Sequence, residues 1–224
     1  MAGITVVTGA AGALGRAVLT ELTGRGGTVV ALGRAGGALD ALGGSGGVFP
    51  IAADLADRAS VVDAWRRVDE IGTPSGLVAL AGGFAPGSLA GLDEDTFAGL
   101  WEGNVSTLLW SAQQAAARMA RGSSIVTVGS KTAVSGQAPV GYAASKAAVV
   151  RITELLAEEL RPAGIRVNSV LPSVLDTPAN RRWMSPELTA KAVSTAAVAK
   201  VIAFLLSDDA APISGARIPV YGDA

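Results

Sequence analysis

Short apolar runs rich in valine and isoleucine alternate along this chain with longer segments of helical periodicity. Seven runs predict β-strands: residues 3–8, 28–32, 48–52, 76–81, 124–128, 165–170 and 216–220. Several are apolar on both faces, which is typical of strands in a parallel sheet that helices cover on both sides. Because parallel strands are joined by right-handed crossovers, the alternation predicts an α/β fold with about seven parallel strands, doubly wound.

Helical periodicity occupies most of the connections between these runs. Five segments predict helices: residues 14–23, 60–71, 94–120, 142–161 and 195–206. The last turn of the segment 142–161 is followed by Pro162, which ends helices. Residues 35–47 are rich in glycine and are the least structured part of the pattern. Since no break in composition suggests a boundary, we expect a single domain over residues 1–224.

The composition excludes several kinds of chemistry. The chain contains no cysteine and no histidine, which excludes disulfides, thiolate or imidazole metal sites and a histidine base. We therefore expect no metal site, and an acid/base group must be tyrosine, lysine, a carboxylate or part of a cofactor. The net charge of −1 gives no support to a nucleic-acid or membrane partner. No apolar run approaches the ~18 residues of a membrane span, and we expect a cytoplasmic protein.

A glycine-rich turn directly follows the first predicted strand and opens a helix. It reads Thr8-Gly9-Ala10-Ala11-Gly12-Ala13-Leu14-Gly15. Glycines let the chain turn tightly and approach a pyrophosphate, while the helix N-terminus offers unpaired N–H groups and a favourable dipole. The position predicts a dinucleotide-binding site in a Rossmann-type fold. A glycine turn without a ligand is the alternative.

Tyr142 and Lys146 are the candidate reacting groups. Their i, i+4 spacing places both side chains on one face of the predicted helix. A free tyrosine, with a pKa near ~10, is a poor base, but a neighbouring ammonium group would stabilise the phenolate and lower that pKa. Such pairs also occur on solvated helix faces. Ser130 strengthens the chemical interpretation, because it ends the preceding strand twelve residues before Tyr142.

These motifs together resemble the short-chain dehydrogenase/reductase family, and the resemblance extends over essentially the whole chain. Its classical branch carries TGxxxGxG, whereas here Ala13 occupies the middle glycine position and Gly12 comes one place early. The resulting GxxGxxG is closer to the extended branch. Extended members carry a large substrate domain, but only 78 residues follow Lys146. We therefore identify a classical-length member with a variant glycine turn.

The resemblance implies roles for four catalytic residues. Tyr142 would donate or accept the proton, and Ser130 would orient the carbonyl and stabilise charge. Lys146 would tune Tyr142 and bind the nicotinamide ribose. Asn104 matches the helix asparagine that supports a proton relay through water; a polar residue that bends the helix is the alternative for this position.

Further cofactor contacts follow from the same resemblance. Asp54 and Leu55 come after the third strand, where the family binds the adenine ring. Ala81 and Gly82 stand where many members have Asn-Asn-Ala-Gly, and they still permit close approach of the backbone to the cofactor. Pro172 begins a stretch that matches Pro-Gly-x-x-x-Thr, with Ser173 in place of the glycine. Thr177 would then contact the carboxamide or the diphosphate.

The function that these residues imply is hydride transfer between a nicotinamide cofactor and a small carbonyl, alcohol or imine-like substrate. A non-catalytic dinucleotide sensor on the same fold is one alternative, although a sensor has no need of Ser130, Tyr142 and Lys146 together. An epimerase or dehalogenase relative is disfavoured by the short C-terminal part and the glycine turn. The runs 81–84 and 175–181 are similar to dihydropteridine reductase, which suggests a pterin or quinonoid substrate as another alternative.

The substrate and the assembly are predicted less directly. A substrate loop over about residues 173–194 is expected near the strand ends, with residues 176–191 forming a mobile lid. The expected pocket residues are Phe84, Gln137, Arg181, Trp183 and Met184. Many small residues lie in the helical segments 94–120 and 142–161, through which family members pair. We therefore expect a homodimer or homotetramer that acts on a small-molecule substrate.

The end of the second strand predicts which cofactor is used. An acidic residue at this place would accept hydrogen bonds from both ribose hydroxyls and select NAD(H). Here Gly33 leaves room for an additional group, and the guanidinium of Arg34 can bind a 2′-phosphate bidentately. Arg16 is a second candidate cation at the start of the first helix, unless it points to solvent. The sequence favours NADP(H), with NAD(H) as the alternative.

Overall fold

The computed structural model describes residues 3–43 and 46–223. Met1, Ala2, Gly44, Ser45 and Ala224 lie outside the described residues, so the predicted span 1–224 is covered except at its ends and within the glycine-rich segment. The strands are β1 (Ile4–Thr8), β2 (Thr28–Gly33), β3 (Val48–Ala52), β4 (Pro74–Ala79), β5 (Ser124–Val128), β6 (Arg166–Pro172), β7 (Leu175–Asp176), β8 (Val193–Ser194) and β9 (Arg217–Val220).

A seven-stranded parallel sheet forms the centre of the protein. Its order is β3-β2-β1-β4-β5-β6-β9, and each neighbouring pair is parallel. The predicted doubly wound Rossmann-type domain is confirmed. The direction of winding reverses between β1 and β4, and such a switch point opens a crevice at the carboxyl ends of the strands.

Helices cover both faces of this sheet. They are α1 (Ala13–Gly24), α2 (Gly37–Asp40), α3 (Arg58–Ile71), α4 (Glu94–Trp101), α5 (Thr107–Ala116), α6 (Val140–Glu159), α7 (Pro186–Lys191) and α8 (Thr195–Leu206). Val6 packs into the core shared with α3, α5 and α6, whereas its neighbour Val7 packs into the core shared with α1 and α8. Because successive side chains of a strand point to opposite faces, a strand that is covered on both sides buries side chains on both faces, which favours apolar residues at successive positions.

The predicted helix over residues 94–120 is interrupted and ends earlier. A single π-helical turn, Glu102–Ser106, separates α4 from α5, and α5 ends at Ala116. The chain then turns toward β5 through Gly122, whose φ of 92° lies in the left-handed region and whose N–H donates to the carbonyl of Gly164 at 3.0 Å. The segment predicted as 142–161 begins two residues earlier and ends at Glu159, before Pro162 is reached.

Arg166 fastens the start of β6 to the C-terminus of α8. Its two terminal nitrogens donate to the carbonyls of Leu205 at 2.8 Å and Ser207 at 3.0 Å. Burial lowers the pKa of Arg166, although the nearby Asp208 carboxylate opposes that effect. A cation at this place satisfies carbonyls that have no partner within the helix and favours the negative end of its dipole.

Candidate active site

Two neighbouring cavities with a shared wall occupy the crevice at the carboxyl ends of the strands. The larger has a volume of about 860 Å³ and the smaller about 320 Å³. Their shared wall contains Gly9, Gly12, Leu80, Gly82 and Gly83. The glycine turn therefore lies between a cavity that reaches the end of β2 and one that reaches α6.

The glycine turn is shaped by close backbone contacts. Gly9 has a φ of 64°, and a Cβ atom there would lie 2.8 Å from the backbone nitrogen of Ala81. At Gly15 a Cβ atom would lie 2.5 Å from the carbonyl oxygen of Ala10. Neither position accommodates a side chain. Gly12 precedes the first residue of α1 without any side-chain cap, so the N-terminus of this helix faces the cavities.

Of the other predicted residues of this turn, some line a cavity and one stabilises the backbone around it. Ala13 and Leu14 line the smaller cavity beside Gly15. Thr8 is 1% exposed, and its hydroxyl accepts hydrogen bonds from the N–H groups of Leu80 at 3.1 Å and Ala81 at 3.2 Å. Thr8 therefore supports the crevice by joining the ends of β1 and β4.

Ser130, Tyr142 and Lys146 meet at the smaller cavity. Ser130 follows β5, and its oxygen accepts the N–H of Thr132 at 3.2 Å and lies 2.8 Å from the Thr132 hydroxyl. Tyr142 and Lys146 come from successive turns of α6, as their spacing predicts. The ammonium of Lys146 donates to the carbonyl of Val128 at 3.0 Å, at the end of β5.

The electrostatics of this group differ from the expectation of a lowered tyrosine pKa. Burial raises the pKa of Tyr142, because the phenolate loses hydration, and a hydrogen bond from Ser130 opposes the increase. Burial lowers the pKa of Lys146 from 10.5 to about 8. The same burial therefore disfavours both charged forms, the phenolate of Tyr142 and the ammonium of Lys146, and the hydrogen bond of that ammonium goes to Val128.

Asn104 lies in the π turn and is 2% exposed. Its Oδ1 accepts the N–H of Gly83 at 2.9 Å, and its Nδ2 donates to the carbonyl of Gly83 at 3.1 Å and to the hydroxyl of Ser145 at 3.0 Å. A Cβ atom at Gly82 would lie 2.5 Å from Oδ1. Asn104 thus ties the loop after β4 to α6, and π turns commonly mark such functional positions.

The end of β2 lies at the larger cavity. Arg34 lines this cavity and is exposed, and its guanidinium forms no hydrogen bond or ion pair with any other described residue. Gly33 is buried as the last residue of β2, and its carbonyl accepts the N–H of Ala53 at 2.8 Å. Asp54 and Leu55 also line the cavity, and the Asp54 carboxylate accepts the N–H of Ala56 at 3.0 Å.

Pro172 and Thr177 line the smaller cavity on the side of β6. Thr177 is 9% exposed, and its hydroxyl accepts the N–H of Asn180 at 3.1 Å. The pair β7–β8 is parallel and joins the two ends of the predicted substrate loop. Residues 177–192 therefore form a loop that the β7–β8 pair closes at its base, and α7 lies within this loop.

Of the five predicted pocket residues, Phe84 alone lines either of the two cavities. Phe84 lines the smaller cavity, and its ring meets that of Tyr142 edge to face, with a centroid separation of 5.0 Å. Arg181 pairs with the carboxylate of Asp176, and Met184 is buried within the loop. Gln137 and Trp183 are exposed and line neither cavity among the described residues.

Three contributors to this site went unnoticed in the sequence. Ser145 donates its hydroxyl proton to the carbonyl of Tyr142 at 2.8 Å while it accepts from Asn104, yet in the sequence it is only a spacer between Tyr142 and Lys146. Thr132 hydrogen-bonds to Ser130 through its hydroxyl, and both the N–H and the carbonyl of Gly83 hydrogen-bond to Asn104. A small polar residue on an otherwise buried helix face was the available signal for Ser145.

The described residues form neither a metal-ligating cluster nor a helix suited to span a membrane. Over residues 3–43 and 46–223, no group of three or more metal-ligating side chains comes together. In the same ranges, none of the helices has the length and apolar character needed to cross a bilayer.

Known proteins are similar to this chain in sequence and in fold. The family model for short chain dehydrogenases matches residues 3–188. The 3-oxoacyl-[acyl-carrier-protein] reductase MabA of Mycobacterium tuberculosis is 34% identical, over 97% of this chain and 90% of that protein. A blue fluorescent protein from a metagenomic library, solved with NADPH, is 29% identical with a TM-score of 0.90, over 99% of this chain and 97% of that one. A short chain dehydrogenase from Burkholderia cenocepacia, solved with NADP, is 30% identical with a TM-score of 0.88, over 98% and 96%.

Proposed function

The chain belongs to the short-chain dehydrogenase family, and from that premise we propose that it is an NADP(H)-dependent oxidoreductase for a small carbonyl or alcohol substrate. The observation that carries the proposal is the meeting of Ser130, Tyr142 and Lys146 at a cavity that the glycine turn also lines. A dinucleotide along the turn would bring its reactive ring to this group of side chains.

The residues of the crevice fit a dinucleotide. The turn has no room for side chains at Gly9 and Gly15, and the unpaired N–H groups of α1 face the same space, as a pyrophosphate requires. Asp54 and Leu55 would border the adenine, and Ala81 and Gly82 would border the ribose and ring. The bound cofactor would supply the hydride or accept it.

The side chains at the smaller cavity would handle the proton. Because burial raises the pKa of Tyr142, its phenol stays protonated at neutral pH and can donate from Oη to a developing alkoxide. The hydroxyl of Ser130 would hold the substrate oxygen beside that phenol. Lys146, with its pKa lowered to about 8, can return a proton at Nζ within the physiological range. Asn104 would keep the floor of the cavity in place through Gly83.

The choice of NADP(H) rests on Arg34. Its guanidinium lies at the larger cavity with no partner among the described residues, and Gly33 places no side chain against it. The family members solved with NADPH and with NADP support the same choice. Replacing Arg34 by alanine should weaken NADPH binding by about 1.5–3 kcal/mol and leave NADH binding nearly unchanged. Equal losses for both cofactors, or a wild-type preference for NADH, would contradict this assignment.

Tyr142→Phe tests the catalytic part of the proposal. The variant should bind NADPH as the wild type does and lose turnover, because only the phenolic hydroxyl is removed. The absorbance at 340 nm measures turnover with ketones, quinones, pterins and a 3-oxoacyl thioester. The pterin arm tests the dihydropteridine reductase-like alternative, which rests on residues 81–84 and 175–181. NADPH binding without turnover of any substrate in the wild type would favour a dinucleotide sensor.

The assembly and the substrate loop also enter the proposal. We expect a homodimer or homotetramer, for which light scattering at micromolar concentration should exceed the chain mass of 22.3 kDa; a monomer mass would refute it. We expect residues 176–191 to close over the substrate. Cofactor and substrate together should then protect them from limited proteolysis, and unchanged cleavage would count against a lid.

A further inference from the structure

Arg16 bridges the two walls of the larger cavity. It lies in the first turn of α1, and its Nε donates to the carbonyl of Ala11 at 3.1 Å, within the glycine turn. Its Nη2 donates to the carbonyl of Ala38 at 3.0 Å, 22 residues further along the chain. Ala11 and Ala38 both line the larger cavity. One guanidinium therefore connects the turn after β1 with the segment after β2.

The segment after β2 has little of its own to hold it in place. Gly36 has a φ of 142°, and a Cβ atom at Gly36 or Gly37 would meet no other atom within 4 Å. The helix that follows, α2, has four residues and no side-chain cap. Its single buried anchor is Leu39. Within the described residues, the Arg16 side chain is the only one that hydrogen-bonds to the backbone of 34–40.

The position of this segment determines where Arg34 can reach. Arg34 lies between the end of β2, whose backbone the sheet holds through Gly33, and the segment that Arg16 holds at Ala38. Glycines allow many backbone conformations, so without the bridge this segment would spread over several of them. A phosphate contact by Arg34 would then require ordering of the segment at the moment of binding, which weakens the affinity.

We propose that Arg16 is a positioning residue for NADP(H) selectivity: it holds residues 34–38 so that Arg34 meets the 2′-phosphate. This inference rests on the proposed use of NADP(H). Nε and Nη2 of Arg16 are bonded to backbone carbonyls of the two walls, so in this proposal Arg16 acts through the segment that carries Arg34. The Arg34→Ala background distinguishes this role from direct phosphate binding by Arg16. The selectivity for NADP(H) then depends on the backbone of residues 34–38, which a side chain of α1 holds in place.

The variants Arg16→Met and Arg16→Lys test this proposal. Methionine removes both hydrogen bonds, whereas lysine keeps the charge but carries all its donors on one nitrogen and lacks the planar fork that reaches two separate carbonyls. Arg25→Met is the matched control, since Arg25 follows the last residue of the same helix and pairs only locally, with Glu21 at 2.6 Å. Calorimetry gives the dissociation constants of NADPH, NADH and adenosine 2′,5′-bisphosphate. Hydrogen exchange without cofactor reports the protection of the amides of residues 39–43, which hydrogen-bond within this segment.

Both Arg16 variants should speed exchange at residues 39–43. They should weaken NADPH and adenosine 2′,5′-bisphosphate by about three- to tenfold, the range of one or two exposed hydrogen bonds, and change NADH binding by less than about twofold. In an Arg34→Ala background the Arg16→Met change should add nothing to the loss of NADPH affinity.

Three outcomes would overturn the proposal. Unchanged exchange would show that Arg16 does not hold the segment. Full NADPH affinity in Arg16→Lys would assign the effect to charge alone, and an additive loss in the Arg34→Ala background would make Arg16 an independent ligand. A wild-type preference for NADH would instead remove the proposed cofactor, while the exchange rates would still decide whether Arg16 holds the segment.

Discussion

Replacing Asn104 by alanine should strongly lower the free energy of unfolding, because one buried side chain makes several hydrogen bonds. The side chain is 2% exposed and makes three hydrogen bonds, two with the backbone of Gly83 and one with Ser145. At about 1 kcal/mol for each bond, the free energy of unfolding should fall by about 3 kcal/mol. For a chain of this size that corresponds to a loss of about 6–12 °C in the melting temperature.

Urea unfolding and a thermal scan measure this loss. Asn180→Ala is the matched control, because its amide makes one side-chain donation, to the carbonyl of Leu175 at 2.9 Å, and should cost only about 1 kcal/mol. NADPH affinity should fall in the Asn104 variant and not in the control, since Asn104 holds the loop that carries Gly82 and Gly83 between the two cavities. A loss for Asn104→Ala no greater than that of the control would refute the reasoning.

Three further predictions follow from buried charge and close contacts. Burial lowers the pKa of Lys146 from 10.5, its value in the unfolded chain, to about 8 in the folded chain. Between these values the unfolded chain binds more protons, so the free energy of unfolding should rise from about pH 8 to pH 10. Urea titrations at several pH values should show this rise in the wild type and not in Lys146→Met. Arg166→Met removes two hydrogen bonds to the end of α8 and should lower the free energy of unfolding in urea by about 2–3 kcal/mol. The control Arg217→Met loses an exposed ion pair with a 3.3 Å separation and should lower it by under about 0.5 kcal/mol. Similar losses for the two variants would contradict the capping role of Arg166. Gly9→Ala should abolish NADPH binding in calorimetry, because its Cβ atom would lie 2.8 Å from a backbone nitrogen, while Gly24→Ala, with no atom within 4 Å, should bind normally.

Local patterns determined the sheet and the helix positions. The runs 48–52 and 124–128 are strands with the predicted ends, and the segment 195–206 is a helix with the predicted ends. Each of these elements carries its signal within a few residues, either as an apolar run or as a helical period. The placement of Tyr142 and Lys146 on one face of α6 was predictable for the same reason, because a helix fixes the geometry of an i, i+4 pair.

Contacts between distant segments decided the remaining features. The Asn104 side chain bonds to Gly83, the direction of the Tyr142 pKa shift depends on burial, and the bridge from Arg16 ends at Ala38. None of these partners lies within the span of a helical turn, so no periodicity indicates them. The sequence by itself determined which elements form and which chemical groups they carry. Only the tertiary structure decided their partners and protonation, because hydrogen bonds and desolvation depend on what packs against each group.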